Sequence, residues 1–182
     1  MRLVFVDTET TGLLPNDGHR IVEVACIEII DNHLTGRHFH QLVNPHRPVP
    51  PEAVTVHGID DRMLQFKPRF AQISGELTAF VGSDMVVMHN APFDAAFFAS
   101  EFEKVDAEFA PLTRQDSIID TLPIFRARHP GLPCRLETLC NRHGIAPPPR
   151  ENWHGALTDA RMLALLWLAT GISGSACSAR AP

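Results

Sequence analysis

Apolar residues fall in short blocks, and their spacing switches between two periods along the chain. Leu3-Val4-Phe5-Val6 is a β-branched and aromatic run that ends abruptly in Asp7-Thr8-Glu9-Thr10-Thr11, with Gly12 as a breaker, and so predicts a strand followed by a turn. Arg20–Ile30 is dense in Ile and Val and predicts a central strand, with Asn32-His33 as the hairpin turn into a third strand over Leu34–Val43. Asp84–His89, built on Met85-Val86-Val87-Met88, and the shorter Asp116–Asp120 predict two more strands. A helical period takes over at Phe70–Val81, where Phe70, Ile73, Leu77 and Phe80 share a face, and again beyond Pro92, where Phe93, Phe97, Phe98 and Phe102 form a stripe. Leu122–His129, Arg135–His143 closed by Gly144, and a long segment from His154 to about Thr170 before Gly171 are the remaining helices. Leu13–Gly18 reads as loop, and Pro45, Pro48, Pro50 and Pro51 keep the chain extended until a short helix begins near Glu52. Pro147-Pro148-Pro149 breaks the chain before the last helix. Three antiparallel-looking strands followed by strand–helix units make an α/β fold, a mixed sheet flanked by helices. The domain spans residues 1–171, and residues 172–182, rich in Ser, Ala and Gly, are expected to be a disordered tail.

The chain has 182 residues, 45% hydrophobic and 20% charged, which is the make-up of an ordinary globular domain with a real core. No apolar stretch approaches the length of a membrane span, and the first strand begins at Arg2, leaving no room for a signal peptide. Cys26, Cys134, Cys140 and Cys177 show no Cys-x-x-Cys pairing, so they read as reduced thiols of a cytoplasmic protein without a membrane partner. Most of the ten histidines read as surface or loop residues. The net charge of −5 argues against a broad basic face that grips duplex DNA. It leaves room for a nucleic-acid enzyme whose acids are neutralised by bound metal ions. Arg126, Arg128, Arg135, Arg142 and Arg150 lie in a stretch whose only acid is Glu137, either a patch that meets phosphates or a solvated helical face.

Candidate chemistry begins with the first strand. Asp7 and Glu9 alternate onto the same face at its C-terminal end. Two such carboxylates repel each other and are costly to desolvate, a problem that a hard divalent cation resolves. Asp94 falls in the first turn of a helix just past a strand end, as a dipole-favoured acid or a third carboxylate beside the pair. His154 stands at the start of the last helix and Asp159 about one turn in, so both can face the same end of the sheet. Ligands of open sheets collect outside the carboxyl ends of strands, which is where these acids fall. Glu23, among apolar residues, reads as an edge or solvent-face residue and is not counted as a ligand. Val56-His57-Gly58-Ile59 reads on spacing as a helix C-cap, with a nucleotide pocket as the alternative.

Three stretches together, Asp7-Thr8-Glu9-Thr10-Thr11-Gly12-Leu13, His89-Asn90-Ala91-Pro92-Phe93-Asp94 and His154 to Asp159, resemble the motifs of the DEDD exonuclease superfamily in its histidine-containing branch. The likeness covers nearly the whole chain and is greatest to the proofreading subunits of bacterial replicative DNA polymerases. It implies a ribonuclease H-like fold, 3′→5′ exonuclease activity, nucleoside 5′-monophosphate products and two Mg²⁺ or Mn²⁺ ions; the acidic balance of the chain adds single-stranded or frayed DNA 3′ ends as the expected substrate. Carried over residue by residue, Asp7 bridges the ions, Glu9 and Asp159 complete one site, Asp94 supports the other, and His154 is the general base. Thr11, Gly12 and Leu13 would contact the terminal nucleotide, and His57 and Phe93 would line its pocket. The resemblance also implies a polymerase subunit as partner, through a segment beyond the nuclease domain. Here a low-complexity tail follows the last helix, so proofreading subunit and stand-alone exonuclease both stay open. Two other readings stand beside it: trimming of RNA or short oligonucleotides, and a catalytically silent polymerase-binding scaffold, against which the intact acid set argues.

Overall fold

The computed structural model describes residues 1–146 and 155–172. One sheet of five strands, β1 (Arg2–Thr10), β2 (Ile21–Ile30), β3 (His33–Leu42), β4 (Met85–Met88) and β5 (Ile118–Asp120), runs in the order β3-β2-β1-β4-β5. The first three strands are antiparallel neighbours, while β4 pairs parallel to β1 and β5 parallel to β4. The mixed α/β sheet is therefore the one that the residue pattern predicts, with β1 in the middle and β2 interior beside it. Around it lie α1 (Pro51–His57), α2 (Asp61–Leu64), α3 (Phe70–Val81), α4 (Ala91–Glu103), α5 (Ala110–Thr113), α6 (Thr121–Arg128), α7 (Leu136–Arg142) and α8 (Ala156–Thr170). The four-residue helices α2 and α5 are too short to show a period, and sequence reading passes over them.

The β2–β3 turn sits one residue earlier than its expected place. Asp31 and Asn32 take φ of +48° and +62°, the left-handed pair that a two-residue hairpin needs, and Asp and Asn tolerate it better than His33 would. At the other end of the chain, Ile172 is buried with the core although it opens the expected tail. The proline break at 147–149 and the tail beyond Ile172 lie outside the described residues.

Alternation along β1 sorts the core into two layers. Leu3 and Phe5 pack with Ala25 and Ile27 against Ala160, Leu163 and Trp167 of α8, and Phe5 meets Trp167 edge-on at 5.7 Å. Val4 and Val6 pack with Cys26 and Val86 against Ile73 and Leu77 of α3 and Phe97 and Phe98 of α4. On the α3 stripe Val81 is buried, whereas Phe80 is half-buried beneath the guanidinium groups of Arg2 and Arg37. A small third cluster of Val22, Val49, Ile59 and Leu64 anchors α1 and α2 near the C-terminal end of β1. Cys26, Cys134 and Cys140 are free and buried, and no described helix is long and apolar enough to cross a membrane.

Candidate active site

The same alternation decides where each acid emerges. Asp7 and Glu9 continue the Leu3–Phe5 side and face α8, whereas Thr8 continues the Val4–Val6 side and faces α4. Glu9 pairs with Glu23 and Thr10 with Ile21, so β2 carries Val22 as an extra residue at this point. Such a bulge bends the strand and re-aims its side chains.

Asp7, Glu9 and Asp159 are half-buried and bring one carboxylate oxygen each to within 4.8 Å of one another. Asp94 is buried on the α4 side, where its Oδ1 accepts a 2.6 Å hydrogen bond from the Thr8 hydroxyl. The four acids predicted from sequence thus meet at one strand end as three and one. Asp7 feels both groups. Burial pushes its carboxyl well above the usual range, and Asp94, Asp159, Glu9 and Glu23 push it further. Glu9 is pushed up to about 9 by burial and then by Asp159, Glu23 and Asp94. Asp94 rises to about 7 through burial, although the Thr8 hydrogen bond favours its charged form.

Among the described residues no arginine or lysine pairs with Asp7 or Glu9. A convergent set of hard anionic oxygens that must otherwise hold protons at neutral pH is a donor set that fits Mg²⁺ or Mn²⁺.

Glu23 corrects the sequence reading. It is 6% exposed, its Oε1 lies 2.6 Å from His40 Nε2, and its Oε2 accepts the Ala156 N–H at 2.8 Å. It thereby ties the start of α8, and with it Asp159, to the sheet beside Glu9. The signal was present in the period of two, since Glu23 shares a face with the buried Ala25 and Ile27.

The expected nucleotide contacts divide by what already occupies them. Leu13 is 78% exposed and unengaged by the core, and Phe93 is half-buried against Phe97 with ring centroids 5.1 Å apart. Thr11 is buried, and its hydroxyl accepts the Arg20 N–H and meets His19 Nδ1 at 3.1 Å. A Cβ on Gly12 would fall 2.3 Å from the His19 ring, so that glycine makes room for a histidine of its own chain. His57 is buried at the end of α1, with Gly58 as the left-handed cap that the spacing predicts. Its Nδ1 accepts the Ile59 N–H, so Nε2 carries the proton and donates to Thr10 O at 3.3 Å. Burial lowers its pKa, and it is a neutral ring bonded to the end of β1. His154 lies outside the described residues.

A parallel-and-antiparallel five-stranded sheet with acids gathered on both faces of one central strand end defines a class. The chain belongs to the exonuclease family RNase_T, whose match spans residues 4–167. Among its relatives, the DNA polymerase III subunit epsilon of Rickettsia typhi is 40% identical over 172 residues, covering 93% of this chain and 73% of that protein. The subunit of the same name from Escherichia coli K12 is 37% identical over 172 residues, covering 92% of this chain and 70% of that protein. In structure, exonuclease X in complex with 5′ overhanging duplex DNA superimposes with a TM-score of 0.70 at 27% identity, covering 95% of each chain. The Escherichia coli ExoI–ssDNA complex in its zinc-bound form, at 22% identity, shares the fold with a TM-score of 0.79 over 96% of this chain and 41% of that one. The protein is accordingly a 3′→5′ exonuclease of ribonuclease H-like fold.

Proposed function

We propose that Asp7, Glu9, Asp94 and Asp159 hold two divalent cations, Mg²⁺ or Mn²⁺, and that His154 is the general base of hydrolysis at DNA 3′ ends. The observation that carries this reading is the convergence of Asp7, Glu9 and Asp159 within 4.8 Å, with no arginine or lysine among the described residues paired to the first two. Bound there, a pair of such ions supplies charge neutralisation, a lowered pKa for the attacking water and relief of charge on the leaving 3′ oxygen. Asp7 belongs to the trio and also feels the charge of Asp94, and so is suited to serve both positions. Thr8 fixes the Asp94 carboxylate through its short hydrogen bond, and Glu23 fixes the first turn of α8 that carries Asp159. The His154 imidazole, with an unperturbed pKa near 6.5, takes the proton of the attacking water at a ring nitrogen, a role worth about 10²–10⁴ in rate.

Leu13 and Phe93 offer apolar surface to the terminal base, and the protonated Nε2 of His57 holds the end of β1 in place beneath them. Thr11 and Gly12 shape this wall through Arg20 and His19 rather than through exposed side chains. The exonuclease domain reaches from residue 1 through Ile172, which is buried with the core. Relatives that carry the name of a DNA polymerase III subunit support proofreading for a replicative polymerase in the cytoplasm, with a polymerase subunit as partner.

An acidic chain grips duplex weakly, so single-stranded or frayed 3′ ends should be degraded faster than paired ends. A paired end must first lose stacking and pairing, at a few kcal/mol per base, which slows it by roughly tens-fold. The test is release of nucleotide from one labelled strand presented alone, annealed, and annealed with a terminal mismatch, as DNA and as RNA, with and without Mn²⁺. Mn²⁺-dependent release of 5′-monophosphates, fastest from the single and mismatched DNA strands, is the expected result. Faster release from RNA would make the protein an RNA or short-oligonucleotide trimmer, and no release with Mn²⁺ would make it a silent scaffold.

A further inference from the structure

Beyond the ends of β4 and β5 opens a cleft of about 500 Å³, lined by His89, Asn90, Arg126, Leu132 and Arg135 among others. It adjoins the acid site directly, because Asn90 immediately precedes α4, whose first turn carries Asp94. Its walls are fixed. His89 Nδ1 lies 2.8 Å from the Thr121 hydroxyl and Nε2 lies 2.8 Å from Cys134 O, while the Asn90 N–H donates to Asp120 Oδ1 at 3.0 Å. These bonds join the end of β4, the start of α6 and the segment before α7.

Against this floor stand two exposed cations. Arg126 projects from α6, and Arg135 is the N-cap residue of α7, with a side chain that makes no capping hydrogen bond. Neither forms an ion pair among the described residues, although arginines at Arg2, Arg20, Arg37, Arg62 and Arg114 do. Leu132, 54% exposed, adds an apolar surface between them in the chain. Guanidinium groups beside an apolar side chain in a cleft with hydrogen-bonded walls match the alternating phosphates and bases of a single nucleic-acid strand.

The direction of the strand follows from the sheet order. The pocket proposed for the terminal nucleotide takes Leu13 and His57 from the β1–β2 side and Phe93 from the first turn of α4, whereas this cleft lies beyond it on the β4–β5 side. The cleft gives a strand whose 3′ nucleotide enters the first a route away from the acids. We propose that Arg126 and Arg135 grip the phosphodiester backbone of the substrate upstream of the scissile bond, making the cleft the track along which the strand is fed. The proposal rests on the exonuclease reading of the acid site.

The test compares a 12-nucleotide oligothymidylate with the p-nitrophenyl ester of thymidine 5′-monophosphate, which is too short to reach the cleft. Replacing both arginines, Arg126→Ala with Arg135→Ala, should raise KM for the oligonucleotide about tenfold or more. Turnover of the ester should change less than about twofold, since only the longer substrate makes the lost hydrogen bonds. The slope of log(kcat/KM) against log[salt] should become shallower by about 0.7 per contact, and the charge-preserving pair Arg126→Lys with Arg135→Lys should retain it. Unchanged KM and salt slope in the double alanine protein would overturn the track, as would equal losses on ester and oligonucleotide, which mean a structural role. No turnover of either substrate by the unaltered protein with Mn²⁺ would overturn the exonuclease reading, and the track with it.

Discussion

Strand β2 carries a buried glutamate toward each end, and the two are treated in opposite ways. Glu28 is fully buried, yet it receives Arg2 at 2.6 Å, Arg37 at 3.0 Å and the Thr35 hydroxyl at 2.7 Å. Burial works against its charge, but these partners hold its carboxyl below the usual range. At the other end Glu23 faces Glu9 across the ladder, a like-charged pair, and Glu9 is pushed up to about 9. Glu101 repeats the first pattern, gripped by Arg20 through two bonds of 2.6 Å. Among the described residues Glu28 and Glu101 come with a guanidinium and Glu23 with an imidazole, whereas Asp7 and Glu9 pair with no arginine or lysine. Burial of an acid is therefore a poor sign of function in this molecule, whereas burial without a compensating cation is a good one.

The contrast can be broken from either end. Asp7→Asn removes one charge from the uncompensated set, so turnover should fall about 10³-fold or more while the metal-free protein keeps or gains thermal stability. Full turnover by that variant would undo the assignment. Glu28→Gln should do the reverse: leaving Arg2 and Arg37 short of a partner costs about 3 kcal/mol by urea unfolding, with kcat per folded molecule unchanged.

A smaller effect separates the two ends by pH. Glu9 and Asp94 have folded-state values raised above their unfolded ones, to about 9 and about 7. Their contribution to stability is complete below the ordinary carboxylate range and is lost as pH rises through those values. Glu28 is lowered, so its contribution is present above the ordinary range and lost as pH falls. The melting temperature of metal-free protein should decline between pH 5 and 9, at roughly 2–4 °C per kcal/mol for a chain of 182 residues, and Mn²⁺ should remove that decline. Glu28→Gln should flatten only the acid limb. A metal-free protein that grows more stable toward pH 9 would contradict the shifts.

Much of this was legible in the sequence because it is local. The run Leu3–Val6 and the alternation of Asp7 with Glu9 declare both a strand and two acids on one face, and Asn90–Asp94 declares an acid in a first helical turn. What escaped is what depends on contacts remote in sequence. Thr8 meets Asp94 across 86 residues, and Glu23 meets Ala156 across 133, so neither residue announces its partner. Glu23 then passes for a solvent-facing residue, because a lone acid in an apolar strand usually is one. Gly12 is legible as a breaker, but that its missing side chain makes room for His19 follows only from the folded loop.

On this account the raised acids at the end of β1 exchange protons for divalent cations. Titrating Mn²⁺ into the protein at pH 7 by calorimetry, in buffers of different ionisation enthalpy, measures both binding and proton release. Because Glu9 is pushed up to about 9 and Asp94 to about 7, binding should release more than one proton per molecule, and Asp7→Asn should weaken it strongly. Binding with no proton release, or binding that Asp7→Asn leaves unchanged, would contradict it.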